Sequence, residues 1–71
     1  MDIHIHTDYI TLGQVLKVTE AIQSGGEAKA YLQEHVVTVN GTPETRRGRK
    51  LRDGDRLQID ANVFHIRRAT P

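Results

Sequence analysis

Apolar residues recur along this chain with two different spacings. Residues 2–6 alternate, with Ile3 and Ile5 on one face and His4 and His6 on the other, the pattern of a short half-buried strand. From Leu12 the period lengthens. Leu12, Val15, Leu16, Thr19 and Ile22 fall on one stripe of a helix. Thr11-Leu12-Gly13-Gln14 predicts its start as a capping box, with Ile10 and Val15 at the positions of a hydrophobic staple. Lys17 lies off the stripe and is expected to face water. The helix is expected to stop before Gly25-Gly26. Ser24-Gly25-Gly26-Glu27 repeats the capping-box pattern, so a second helix is expected to begin at once and run to about His35. Ala28, Tyr31 and Leu32 form its buried side, and Lys29 and Gln33 its exposed side. So short a connection implies a tight helical corner.

Beyond His35 the pattern is that of strands. Val36-Val37-Thr38-Val39 leads into Asn40-Gly41, a strong hairpin signal, and Thr42-Pro43-Glu44 begins the return. Asp53-Gly54 marks a second turn. Leu57 and Ile59 alternate with Arg56, Gln58 and Asp60. Ala61-Asn62 turns again, and Val63 to Arg67 makes a last strand, expected to pair with the first strand or with 56–60. The order β-α-α-β-β-β predicts an α+β fold, two helices packed on a small antiparallel sheet.

Composition narrows the classes. The chain has 71 residues, the size of a single domain spanning 1–71. Cysteine is absent, so neither a disulfide nor a thiolate-bound metal supports the fold. No apolar run approaches the roughly 20 residues of a membrane span, and the N-terminus lacks the pattern of a signal peptide. These features predict a soluble cytoplasmic protein.

The net charge of +1 conceals an asymmetry. Residues 1–45 hold Lys17 and Lys29 against six acids, whereas residues 46–71 hold eight cations against Asp53, Asp55 and Asp60. Arg46, Arg47, Arg49, Lys50 and Arg52 fall within seven residues. With almost no acid among them, they are expected to repel one another unless an anionic partner is present. On composition a solvated loop and a phosphate-binding loop are equal readings of this run: arginine's planar fork suits phosphate, and Gly48 lets the backbone approach a ligand. The Gly25-Gly26 pair can serve the corner alone, or can also bare N–H groups of a helix start to an anion, with Lys29 nearby.

Other chemistry has little support. No nucleophile elbow, H-E-x-x-H, Walker loop or dinucleotide fingerprint occurs, so no catalytic residue and no cofactor is assigned. Asp53 and Asp55, flanked by Arg52 and Arg56, read as structural ion pairs. His4 and His6 share a face, but without an acid or cysteine at fixed spacing they read as surface residues, and no metal is assigned. His35 and His65 have no evident partner. Tyr9, Tyr31 and Phe64 are the only aromatics, and Tyr31 and Phe64 read as core. That is too few for a base-stacking platform, so a nucleic acid would be read by backbone and shape.

Leu12-Gly13-Gln14-Val15-Leu16-Lys17, Gln23-Ser24-Gly25-Gly26-Glu27-Ala28-Lys29, Val36-Val37-Thr38-Val39-Asn40-Gly41, Arg46-Arg47-Gly48-Arg49-Lys50-Leu51 and Asp53-Gly54-Asp55, in this order, resemble the S4-type RNA-binding domain, or alpha-L motif. The likeness covers about residues 10–60 and is greatest to small stand-alone bacterial members. It implies two helices set in an L against a small sheet, and binding of structured RNA, ribosomal or transfer. By matched position it implies an RNA face of Gln23, Ser24, Gly25, Gly26 and Lys29, then Asn40 and Gly41, then Arg46, Arg47, Arg49 and Lys50, joined by Lys17. The chain departs from the family where basic residues often stand before the first helix and at the corner. Here those places hold Ile10 or Thr11, and Gly25-Gly26. No attached catalytic domain is present in the sequence, so no such activity carries over. The expectation is a monomeric, non-enzymatic RNA-binding domain that acts on the ribosome or its assembly. The rival is a protein-interaction module whose basic loop meets an acidic partner.

Overall fold

A computed structural model describes residues 1–69 of the chain; Thr70 and Pro71, the end of the expected domain, lie outside the described residues. The first helix, α1 (Leu12–Val18), begins as its sequence predicts. The Gln14 N–H donates to Thr11 Oγ1 at 3.3 Å, and the Thr11 N–H donates to Gln14 Oε1 at 2.9 Å. Both halves of the capping box are therefore made.

The helix ends at Val18, well before the expected stop at Gly25-Gly26. The Thr19 hydroxyl donates back to the Val15 carbonyl at 2.8 Å. Glu20 then takes the left-handed conformation, φ +63°. The Ala21 N–H reaches the Leu16 carbonyl at 2.9 Å, and the Glu20 N–H reaches that of Lys17 at 3.1 Å. This is the Schellman termination, with glutamate where glycine is usual. Residues 19–24 then form a connecting segment rather than a tight corner.

The second capping box does not form. Gly25–Glu27 is one turn of 3₁₀ helix, and α2 proper runs Ala28–Glu34. Ser24 caps no helix N–H; its hydroxyl lies 3.4 Å from Glu27 Oε1, and the Gln23 N–H lies 3.4 Å from Glu27 Oε2. Two successive glycines at the helix start lower helix propensity, and the tighter turn takes the place of the first α-helical one.

Five strands form the main sheet: β1 (Asp2–Ile5), β3 (Val37–Val39), β4 (Thr42–Pro43), β6 (Arg56–Ile59) and β7 (Asn62–Arg68), in the order β1-β7-β6-β3-β4. A separate two-stranded ladder joins β2 (Ile10–Thr11) to β5 (Lys50–Leu51). The last strand pairs with both expected partners, antiparallel to β6 and parallel to β1. The β1–β7 pair thus departs from the all-antiparallel expectation. Alternation along a strand is the same for either direction, and the long connection a parallel pair needs is available here. Asn40 and Gly41 turn with φ +52° and +84°, the type I′ hairpin that their sequence predicts. The expected turn at Ala61-Asn62 sits one residue earlier, since Asn62 already pairs with Ile59.

The core lies between the helices and the sheet. Leu12, Val15 and Leu16 from α1, Leu32 from α2, and Leu51, Leu57 and Ile66 from the strands are buried. Each such side chain contributes roughly 1.5–3 kcal/mol by leaving water. Leu51 belongs to the basic run itself, so that run is anchored in the core at its far end. Among the described residues no helix is long and apolar enough to cross a membrane.

Candidate nucleic-acid interface

Glu44, just before the arginines, is the only polar or charged residue buried among the described residues. One carboxylate oxygen accepts from the Thr45 N–H at 3.0 Å and from the Arg46 N–H and Nε at 3.1 Å each. The other accepts from Arg46 Nη2 at 3.1 Å and Arg49 Nη1 at 3.2 Å. The hydrogen bonds from Arg46 hold the Glu44 carboxyl well below the usual range, at about 2, against the opposing effect of burial. The expectation that these cations stand unpaired and repel one another is therefore corrected. Arg46 and Arg49 share a buried counter-charge, one residue outside the stretch that lacks acids.

The run is also fastened to α1. The Leu12 N–H donates to the Arg49 carbonyl at 2.9 Å, and the Gly13 N–H to the Arg47 carbonyl at 2.8 Å. Carbonyls of the basic run thus satisfy two of the donors that a helix start leaves open. A Cβ on Gly13 would lie 3.4 Å from the Arg47 carbonyl oxygen, so the absence of a side chain lets loop and helix meet closely.

Arg47 and Gly48 leave this junction along one wall of a shallow trough. Gly13, Gln14 and Lys17 of α1 form its floor, with Gly25 and Ala28 on the opposite wall. No acid lines it. Arg46, Gly48, Arg49 and Lys50 line an adjoining depression. Gly25, Gly26 and Gly48 all have space where a Cβ would stand, with nothing within 4 Å, and none has a positive φ. Among the described residues neither packing nor backbone conformation requires glycine at these three positions.

The S4 domain family matches residues 3–67. The chain belongs to that family. A relative from Bacillus subtilis (strain 168), "Probable ribosome maturation protein RlbA", is 57% identical over 58 residues, covering 82% of each chain. The two helices and mostly antiparallel sheet are those of an S4 domain.

Within this S4 domain the trough gathers Lys17, Gly25 and Arg47, and the adjoining depression gathers Arg46, Arg49 and Lys50. Gln23 lies beside Lys17 on a further shallow surface. Ser24, Gly26 and Lys29 are exposed along the corner and the start of α2 without lining the trough. Asn40 and Gly41 line neither depression. The Asn40 side chain donates to Asp55 at 3.0 Å and accepts the Arg56 N–H at 2.9 Å, which ties the hairpin to the next turn. Asp53 and Asp55 are structural in a different way from that expected. They accept from the Arg68 and Arg52 N–H groups at 2.8 Å each and make no ion pair with Arg52 or Arg56.

Charge that is asymmetric along the chain is partly balanced in space. Arg68 pairs with Asp8 at 2.8 Å, and Arg67 with Asp2 at 3.7 Å. Lys17, Lys29, Arg47, Lys50, Arg52 and Arg56 make no ion pair among the described residues. His35 has a partner after all: it stacks on Tyr31 and places Nδ1 2.9 Å from Asp60. Sequence reasoning missed Gly13, Glu44 and Tyr9. Tyr9 lies under Lys50 Nζ at 4.8 Å and Arg52 at 5.5 Å from its ring centre. A glycine in the first helical turn and an acid two residues before an arginine run were the available signals for Gly13 and Glu44.

Proposed function

We propose that this S4 domain binds structured ribosomal RNA without catalysis, and that it serves ribosome maturation in the cytoplasm. The trough between α1, the glycine corner and the Arg47-Gly48 segment is the contact surface. The observation that carries the reading is the acid-free lining of that trough, with Gly25 and Gly48 at positions where the fold itself has no need of glycine. Glycine there lets a phosphate backbone come close, and Lys17, Arg47 and Lys50 neutralise it. Such contacts position the domain on RNA rather than read its sequence. The name of the Bacillus subtilis relative supports the ribosomal setting.

Arg46, Arg49 and Lys29 widen the same basic face. Ser24 and Asn40 shape the corner and the hairpin turn, Gln23, Gly26 and Gly41 complete the surface, and the domain acts as a monomer. A salt series on purified ribosomal subunits and on transfer RNA tests the reading, using native protein and an Arg47→Ala/Lys50→Ala variant of unchanged melting temperature. If Arg46 and Arg49 stay with Glu44, four cations (Lys17, Lys29, Arg47 and Lys50) act, and log K falls with log salt at a slope of about −3 to −3.5. If both arginines leave Glu44 for phosphate, the slope steepens to about −4 to −5. A slope near zero, or a variant that binds like native protein, overturns the proposal.

A further inference from the structure

A second concavity opens between α1 and the segment leaving β1. His4 and His6 stand on one side, Tyr9 and Ile10 at one end, and Lys17 and Val18 on the helix side. We propose that this groove holds one unstacked nucleotide of the RNA bound in the trough, an inference that rests on the RNA-binding reading.

Continuity with the trough is the first argument. Gln14 and Lys17 line both concavities, so the two adjoin along these side chains and one RNA strand can reach both. The Gln14 Oε1 atom is engaged by the Thr11 N–H, which leaves its amide NH2 to donate.

Charge is the second. Among the described residues no carboxylate lines the groove. Asp8, in the same segment, is turned to Arg68 at 2.8 Å. What remains is Lys17, two imidazoles and the neighbouring cations over Tyr9, a setting suited to an anion.

Surface chemistry is the third argument, and it selects a base rather than another stretch of phosphate backbone. Val18 is 63% exposed and Tyr9 38%. Ile10 is half-buried beside them. An apolar surface gains nothing from a phosphate but gains from covering the face of a base. Unstacked bases in loops and bulges are commonly received on tyrosine or histidine rings. Lys50 Nζ lies over the Tyr9 ring at 4.8 Å and Arg52 at 5.5 Å from its centre, so Lys50, one of the cations that meet phosphate, adjoins the ring.

The test uses two hairpin RNAs with the same stem, one fully paired and one carrying a single-nucleotide bulge, and follows the protein by NMR. With the bulged hairpin, the Tyr9 ring and Val18 methyl signals are expected to shift. With the paired hairpin, only the Arg47 and Gly48 amides are expected to do so. A folded Tyr9→Ala/Val18→Asn variant is expected to lose roughly tenfold in affinity for the bulged hairpin. Val18→Asn alone, at an exposed site, is expected to lose part of it. Groove signals that stay still while Arg47 and Gly48 respond overturn the groove and leave the trough intact. Equal shifts with both hairpins overturn the requirement for an unstacked nucleotide. Groove signals that respond instead to a glutamate decapeptide identify a protein segment as the occupant and also overturn it. If no signal responds to either RNA, the RNA-binding reading falls and the groove proposal with it.

Discussion

The two walls of the trough are built differently. The arginine wall is held by a buried carboxylate with five donors, by two backbone bonds to the start of α1, and by Leu51 in the core. The glycine wall has a Schellman turn at Glu20 and contacts at 3.4 Å from Glu27, and a Cβ on its Gly25 would meet no described atom within 4 Å. Cations are placed in advance on one side, while the other side presents bare backbone. Placing cations before binding lowers the ordering cost that long side chains otherwise carry into an interface. A wall of backbone adds no such cost and leaves room for the ligand.

The largest effect follows from removing the acid beneath the arginine wall. Glu44→Ala leaves the donors of Thr45, Arg46 and Arg49 without their acceptor, and is expected to lower stability by about 1–3 kcal/mol, as measured by chemical denaturation. RNA affinity has two opposed contributions in that variant: two cations are released, and their placement is lost. If placement matters, affinity falls although net charge rises. An unchanged or tighter complex shows that the clasp serves only the fold.

Next comes the exposed cation. Arg47→Ala removes a side chain that makes no ion pair among the described residues, while its backbone carbonyl still holds Gly13. Stability is expected to change little. Binding is expected to weaken by about 1–2 kcal/mol, and the salt slope to become shallower by roughly one. A large loss of melting temperature makes Arg47 structural instead.

The Glu44 clasp also gives the arginine wall a pH dependence. Its folded pKa, about 2, lies below the usual 4.5. A depressed carboxyl contributes stability in full above its unfolded value and loses it as pH falls through the folded one. The difference in unfolding free energy between native protein and Glu44→Gln is therefore expected to be constant above about pH 5 and to shrink between pH 4.5 and 2. A difference that persists at pH 2 attributes the effect to packing rather than charge.

What the sequence made legible was local. Thr11 and Gln14 are three residues apart and find each other without the rest of the fold; Asn40-Gly41 carries its own turn. Leu12, Val15 and Leu16 of α1 and Ala28 and Leu32 of α2 are buried as their spacing requires, while Tyr31 is half-buried and Ile22 enters the core from beyond the end of α1. The end of α1 was hidden because Glu20, an ordinary helix former, adopts a left-handed backbone that nothing in its neighbourhood announces. The parallel pairing of β1 with β7 joins residues at opposite ends of the chain, and alternation is blind to strand direction. Burial of Glu44 depends on how its segment packs against α1 and β3, so its role as counter-charge to the arginines could not be read from spacing alone.

The smallest expected effect separates the two walls most sharply. At Gly25 and Gly26 an added methyl group meets open space and the backbone is not left-handed. Replacing glycine by alanine at such sites stabilises a protein by about 0.4–1 kcal/mol, because the unfolded chain has fewer conformations to lose. A Gly25→Ala/Gly26→Ala variant is therefore expected to melt at a slightly higher temperature. If Gly25 exists to admit a phosphate backbone, the same variant binds RNA more weakly, with its salt slope unchanged because no charge has moved. A rise in stability accompanied by a loss of affinity assigns the glycines to the ligand. A rise in both, or unaltered affinity, removes the glycine wall from the interface and leaves binding to the arginines alone.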